Sequence, residues 1–187
     1  MPNPDPTLDQ QIQFARHNFE NHQALIRFAD TKAAAIITIV IFLGASGLQI
    51  AKEATHSLNF DTHAGLAVSI VFICSCVTFL LAFAWCLVRV EMTLMPRAGH
   101  THQPQAGRDI LWQDHVLVHS SDQQYFDAVK KADSELLLRN LTDQIFELAH
   151  ISRAKMVNIQ QSRRASLWAA ASWIVNMISA LILLRWK

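Results

Sequence analysis

Residues 33–50 read AAAIITIVIFLGASGLQI, and no charged side chain interrupts them. Two more uncharged stretches follow at residues 64–88 and 167–184, the latter reading LWAAASWIVNMISALILL. Each stretch is long enough to cross about 30 Å of hydrocarbon as an α-helix. In a chain of 187 residues, too little polar sequence remains to cover three such helices in water. The sequence therefore predicts an all-α integral membrane protein with three transmembrane helices.

The distribution of basic residues predicts how the chain is oriented in the membrane. Of its sixteen Lys and Arg residues, only Lys52, Arg185 and Lys187 lie on the side opposite the N-terminus. Because basic residues accumulate on the cytoplasmic side, we expect a cytoplasmic N-terminus. The predicted organisation is a cytoplasmic N-terminal helix (1–32), the first span (33–51), an external turn (52–63), the second span (64–89), a cytoplasmic loop and helical region (90–165), the third span (166–184) and an external tail (185–187).

A heptad-like spacing of four and three residues precedes the first span and again precedes the third. No Gly or Pro interrupts residues 7–42 or 109–187. We therefore expect the first and third transmembrane helices to extend into the cytoplasm as an amphipathic helical stalk, the last helix beginning near residue 133. Its two seams need partners, either each other or a neighbouring subunit. The first seam consists of Leu8, Ile12, Ala15, Phe19, His22, Ile26 and Ala29, and the second of Leu138, Leu141, Ile145, Leu148 and Ser152.

The segment between the second span and the last helix contains turn and cap signals. Pro and Gly residues within 96–107 mark a loop. Residues 109–119 are aromatic and β-tolerant, which favours a strand or an extended segment. Ser121 and Gln124 have the spacing of a capping box, which predicts a short helix over residues 122–131.

The sequence contains no set of residues that indicates catalysis or a metal site. Cys74, Cys76 and Cys86 lie in one apolar stretch and are interpreted as small apolar side chains. His100 and His102 have a spacing that a metal can use, but no Cys or carboxylate group completes a ligand set. Neither a Walker A sequence nor G-x-G-x-x-G occurs. We expect no enzyme activity, no metal and no cofactor.

Four residues within the spans are candidates for helix packing or for a pore. Gly44 and Gly47 lie on a small-residue face that allows close helix approach, although glycine is also simply tolerated in transmembrane helices. Gln49 and Asn176 are amides in or at the edge of the apolar zone. They either form hydrogen bonds between helices or line a wet path.

Opposite charges lie together at the start of the first span, at Asp30 and Lys32. Lys32 alone has a simple explanation, because a lysine at the edge of a span can extend its ammonium toward the lipid headgroups. An acid on the same turn suggests a partner, such as a basic residue of the last helix.

The chain resembles the Pycsar transmembrane effector family of bacterial anti-phage defence. The resemblance rests on ADTKAA at 29–34, MPR at 95–97, ILWQDH at 110–115 and LTDQIFELAHISRAK at 141–155, in that order. It implies a protein of the bacterial inner membrane, controlled by a nucleotide second messenger that a partner nucleotide cyclase or nucleotidyltransferase makes. It also implies that the active effector permeabilises the membrane and arrests growth of the infected cell.

Two functional hypotheses follow from this resemblance. The first is a pore or membrane-disrupting effector in the lipid bilayer. Because three spans enclose no channel alone, it requires a homo-oligomer, with a tetramer as the first choice. The alternative is a non-pore membrane adaptor that recruits a cytosolic partner through its stalk.

An anionic nucleotide needs cationic donors. The candidates are Arg97, Arg108, Arg139, Arg153 and Lys155, of which Arg97 and Lys155 are preferred because they lie in segments that match the family. Asp30 and Lys32 are assigned to gating or coupling at the junction of stalk and span.

Overall fold

The structure, a computed structural model, describes residues 7–95 and 116–185. Four helices occur in order: α1 (Leu8–Thr55), α2 (His63–Leu94), α3 (Asp122–Lys131) and α4 (Ser134–Arg185). Helices α1, α2 and α4 are each long and apolar enough to cross a membrane. No strand occurs in these two described ranges. The prediction of an all-α protein with three spans is confirmed.

Helix α1 is continuous from its first turn to its last, as the absence of Gly and Pro in its first half predicts. It begins with a capping box that the sequence reading missed: Gln10 N donates to Thr7 Oγ1 over 3.4 Å, and Thr7 N donates to Gln10 Oε1 over 3.0 Å. The helix continues to Thr55. The turn therefore comprises residues 56–62 and is shorter than the predicted 52–63.

Helix α3 has the predicted bounds, with Ser121 as its N-cap. Ser121 Oγ accepts a hydrogen bond from Gln124 N over 3.2 Å, but Gln124 Oε1 accepts from Ser120 N, over 2.7 Å. The reciprocal half of the capping box is thus displaced by one residue. Residues 109–115 of the expected extended segment lie outside the described residues. Val116 and Leu117 are helical, so the extended conformation is wrong for that end.

The chain divides into two compact units. The stalk unit contains the described residues 7–28 and 116–154, and the span unit contains residues 29–95 and 155–185. All three uncharged stretches belong to the span unit. Helices α1 and α4 each contribute residues to both units.

The two seams of the stalk unit lie on buried or half-buried helix faces. Ala15 and Leu148 are buried, and Leu8, at the start of α1, is the exposed exception. The seams meet within one chain, where Ser152 Oγ lies 3.4 Å from His22 Nδ1. The sequence predicts that each seam packs either against the other seam or against a neighbouring subunit. In the structure, the two seams of one chain contact each other.

In the span unit, small side chains occupy many of the buried positions, and most large apolar side chains, apart from a few such as Phe72 and Leu183, lie outside. Ala33, Ala169 and Ala180 are buried, whereas Phe42 and Leu81 are mostly exposed. This distribution is the one that lipid favours. Hydrocarbon solvates large apolar side chains, while small ones let helices approach each other. Lipid-facing surfaces on all three long helices therefore follow from the fold.

Gly44 shows how closely α1 approaches α2. A Cβ atom at this position would lie 2.7 Å from Cε2 of Phe83, which is well inside carbon–carbon van der Waals contact. A Cβ atom at Gly47 would lie 3.4 Å from Cδ1 of Trp173, close to ordinary contact. The packing interpretation therefore holds for Gly44, where a side chain would displace an aromatic ring.

This difference predicts that Gly44→Ala destabilises the protein and that Gly47→Ala, its matched control, has a much smaller effect. We expect overpacking at position 44 to lower the free energy of unfolding by about 1–3 kcal/mol. Thermal unfolding of both variants in detergent, followed by circular dichroism, measures this. Adding Phe83→Leu should restore part of the loss. Equal melting temperatures for the two single variants would contradict the proposed close contact.

Candidate functional site

An ion pair joins α1 to α4 within the span unit. Lys155 Nζ donates to Asp30 Oδ1 over 2.5 Å. The Lys155 side chain is 7% exposed and that of Asp30 is 38% exposed. Lys155 is buried because it lies on the α4 face that also buries Asn158 and Ile159. The expectation that Asp30 has a basic partner on the last helix is confirmed.

The burial of Lys155 makes this pair unequal. An ammonium with so little contact with water needs a carboxylate or another acceptor, because burying an unpaired charge costs several kcal/mol. Asp30 keeps partial access to water and depends less on its partner. The sequence reading gave Lys155 a ligand role and Asp30 a coupling role. The structure places both in one contact, so an anion that reaches Lys155 competes with the Asp30 carboxylate for the ammonium.

Arg89 is a second cationic residue in the span unit, and the sequence reading did not select it. Its guanidinium carbon lies 4.4 Å from the centre of the Trp85 ring, a cation–π arrangement. Nη1 donates to Asn158 Oδ1 over 3.5 Å, and Nε is buried without a hydrogen-bond partner in the described structure. The spacing Trp85-x-x-x-Arg89 at the end of an apolar stretch was the available signal, since such residues favour the membrane interface.

Contacts from α1 and α2 therefore converge on one face of α4. Lys155 contacts Asp30 of α1, and Asn158, three residues further along, contacts Arg89 of α2. Residues three apart lie on the same helix face. In both contacts a cationic side chain donates to an oxygen atom, and an anion accepts hydrogen bonds from the same donors.

The structure describes two of the four other predicted cationic residues. Arg139 and Arg153 are exposed residues of the stalk unit, fourteen positions apart on α4. At 1.5 Å per residue they are separated by roughly 21 Å along the helix axis, too far for one phosphate group to contact both. Arg97 and Arg108 lie outside the described residues. Their ligand roles stay predictions.

Lys32, predicted to act in coupling, is exposed on α1, and its role also stays a prediction.

The two amides predicted within the spans have different environments. Asn176 is 3% exposed, and its Nδ2 donates to Cys76 Sγ of α2 over 3.2 Å, so it does join two helices. Its Oδ1 has no hydrogen-bond partner in the described part of the chain. Gln49 is exposed on α1. Burial thus distinguishes two amides that the sequence treats alike.

The described residues contain no group of three or more His, Cys, Asp or Glu side chains that is arranged to hold a metal ion. His100 and His102 lie outside the described residues.

The chain has three membrane-length helices, with small side chains between them and polar contacts that join α4 to α1 and α2. These features define a helical multi-pass membrane protein. The family model described as the Pycsar effector protein domain, PycTM, matches residues 14–185. The chain therefore belongs to the Pycsar effector family, and the resemblance seen in the sequence is confirmed. Family and spans together make it a multi-pass membrane effector of anti-phage defence. The chain has no match among curated proteins and none among solved structures.

The unequal burial of the ion pair predicts unequal effects of removing each partner. Asp30→Ala leaves the buried Lys155 ammonium unpaired and should cost about 3 kcal/mol, as in other buried pairs that lose one partner. Lys155→Met leaves a carboxylate that water reaches, and should cost about 1 kcal/mol or less. Melting temperatures in detergent compare the two.

The exchanged pair, Asp30→Lys with Lys155→Asp, serves as the control and should recover stability relative to Asp30→Lys alone. If Lys155→Met proves as destabilising as Asp30→Ala, the ammonium is not the more dependent partner.

Proposed function

We propose that the protein acts as a nucleotide-controlled effector that permeabilises the bacterial inner membrane as a homo-oligomer and arrests growth of the infected cell. The match to the Pycsar effector family over residues 14–185, combined with three membrane-length helices, carries the proposal. The proposed action needs no catalytic residue. We also propose that the N-terminus of the chain is cytoplasmic, because most Lys and Arg residues lie on the same side of the spans as the N-terminus.

The assembly is part of the proposal because one chain contains too few spans to enclose a channel. Large apolar side chains cover much of the outward surface of the span unit, and the polar residues Ser172, Asn176 and Ser179 of the third span are buried inside it. A path for water therefore requires several chains arranged around an axis. Among the closed symmetric assemblies, we favour a tetramer, in which four bundles surround a central opening.

Nucleotide control rests on competition at Lys155. A nucleotide is an anion, and its phosphate accepts the same hydrogen bonds from an ammonium group as a carboxylate does. A phosphate that binds Lys155 displaces Asp30 and so removes one contact between α1 and α4. Arg97 supplies a second cationic donor in this proposal, with Arg108, Arg139 and Arg153 as further candidates. The messenger comes from a partner nucleotide cyclase or nucleotidyltransferase.

The alternative, a membrane adaptor that forms no pore, has one observation in its favour. Aromatic side chains are exposed in the stalk unit, where Phe14 is 68%, Phe126 58% and Phe146 59% exposed. Exposed apolar side chains at the end of a membrane anchor suit recruitment of a cytosolic protein.

Loss of membrane potential discriminates between the pore and the adaptor. We expect strong expression in bacteria to arrest growth and to depolarise the membrane within the same period, as measured with a potential-sensitive dye. Gly44→Ala, which disturbs span packing, should weaken both effects together. Growth arrest in cells whose membrane stays polarised would instead support the adaptor.

Competition at Lys155 makes a specific prediction for nucleotide affinity. Lys155→Gln and Arg97→Ala should each weaken binding about tenfold, since a charge-assisted hydrogen bond contributes roughly 1.5 kcal/mol or more. Asp30→Asn removes the competing carboxylate charge and should strengthen binding. Calorimetry of the purified chain with each of the four 3′,5′-cyclic ribonucleotides measures these changes.

Arg16→Ala provides the matched control for loss of an exposed positive charge, because Arg16 lies on α1 away from the ion pair. Unchanged affinity in both basic variants would remove Lys155 and Arg97 from the ligand site.

A further inference from the structure

Within the third span, small and polar side chains form most of the buried face of α4, and Leu183 is the large apolar residue buried at its end. Ala169, Ser172, Asn176 and Ser179 are each no more than 8% exposed. Their spacings of three and four residues place them on one side of the helix. The opposite side is apolar and exposed, as at Ile178, which is 55% exposed. Within the third span, α4 thus has a polar face that α1 and α2 cover and an apolar face that is left to lipid.

We propose that this face of α4, defined by Ser172, Asn176 and Ser179 and here called the polar face, lines the water path of the active effector. The inference rests on the proposed function and adds to it the helix, and the side of that helix, that contacts water. In the structure described here, the polar face is covered and the path is closed.

Asn176 supplies the observation that goes beyond residue pattern. Its Oδ1 is buried and has no hydrogen-bond partner among the described residues, and its Nδ2 donates only to a thiol, which is a weak acceptor. A primary amide has two donor hydrogens and two acceptor positions. In hydrocarbon an unpaired carbonyl is unfavourable, whereas water would pair all of them. Hydration of Asn176 therefore favours the open arrangement.

The polar faces of α1 and α2 do not offer the same opportunity. The residues buried on α1 in the span unit, such as Ala33, Val40 and Gly44, have no polar side-chain atom. On α2, Ser69 bonds to the backbone of Asn59 in the turn, where it accepts from the amide and donates to the carbonyl. Ser75 and Thr93, the other polar residues buried on α2, donate to backbone carbonyls of their own helix. The buried hydroxyls of α2 thus all have a partner, unlike Oδ1 of Asn176.

The contacts that hold α4 against its neighbours are suited to exchange. Trp173 Nε1 donates to Ser46 Oγ over 3.2 Å, and Cys86 Sγ donates to the Ser162 carbonyl over 3.5 Å. The thiol bond is weak, and the indole bond can be replaced by one to water. By contrast, the close contact of Gly44 with Phe83 joins α1 and α2 by packing alone. Rotation of α4, or its separation from an intact α1–α2 hairpin, then exposes the polar face.

Cysteine accessibility tests this directly. The starting chain carries Cys74→Ala, Cys76→Ser and Cys86→Ala, so that it has no native thiol. Ser172→Cys and Ser179→Cys report on the polar face, and Ile178→Cys is the matched control on the lipid-facing side of the same helix. A charged, membrane-impermeant methanethiosulfonate is added to cells at low expression, before depolarisation, and at high expression, after it.

We expect the two polar-face thiols to react at least tenfold faster in depolarised cells than in polarised ones, and Ile178→Cys to stay unreactive in both. Depolarisation without reaction at the polar face, or with reaction at Ile178→Cys instead, would overturn the inference while leaving the proposed function intact. Failure of the unmodified chain to depolarise cells overturns the proposed function itself.

A second variant keeps the inference testable if the thiol-free chain loses activity. Asn176→Leu, made in the unmodified chain, replaces the amide with an apolar side chain of similar size. We expect a melting temperature in detergent equal to or higher than that of the unmodified chain, together with loss of depolarisation. A chain with Asn176→Leu that depolarises cells as strongly as the unmodified protein would show that the polar face does not line the path.

Discussion

Hydrocarbon offers no hydrogen-bond partner to a peptide group, and this constraint shapes every element of the span unit. A chain that crosses it must satisfy each amide within its own segment, which favours the uninterrupted helices α1, α2 and α4. Because lipid hydrocarbon is itself apolar, the hydrophobic effect does not favour burial of large apolar side chains between the helices. Alanine, glycine and serine consequently occupy the contacts between helices, and Phe42 and Leu81 face outward.

Polar groups have most influence in such an environment, because few competing partners exist. Lys155 is stabilised in its buried position by Asp30, and Arg89 is held by Trp85 and Asn158. These contacts lie on one face of α4, which also belongs to both compact units. In the proposed mechanism, an anion that binds Lys155 changes the contacts of α4 within the span unit, to which the third span also belongs.

A ligand changes a conformational equilibrium only to the extent that it binds one state better than the other. In the proposed mechanism, that difference comes from the displacement of Asp30 by a phosphate. The apolar exterior and the polar face of α4 supply the two states. In the first state α1 and α2 cover the polar face, and the amide of Asn176 lacks a partner for its oxygen. In the second state the polar face is exposed, and the amide is paired with water. The proposed function therefore depends on internal contacts of α4 that an anion or water can replace.

The helices could be predicted from the amino-acid sequence alone, because they depend on neighbours along the chain. Uncharged length predicted the spans, the absence of Gly and Pro predicted continuous helices, and Ser121 with Gln124 predicted the bounds of α3. The four short motifs also sufficed to suggest the Pycsar effector family. The same reading indicated that Asp30 needs a basic partner, since an acid beside a span requires one.

Which basic residue pairs with Asp30 depends instead on how the helices pack. Arg139, Arg153 and Lys155 all lie on the last helix, and the residue that meets Asp30 is separated from it by 125 positions. The packing of the helices likewise determines that Asn176 is buried and half-paired while Gln49 is exposed, and that Gly44 rather than Gly47 is in close contact with an aromatic ring. Such contacts depend on the rotation and axial register of one helix against another. Small residues allow many registers, so local sequence leaves the choice to the packing of the complete bundle.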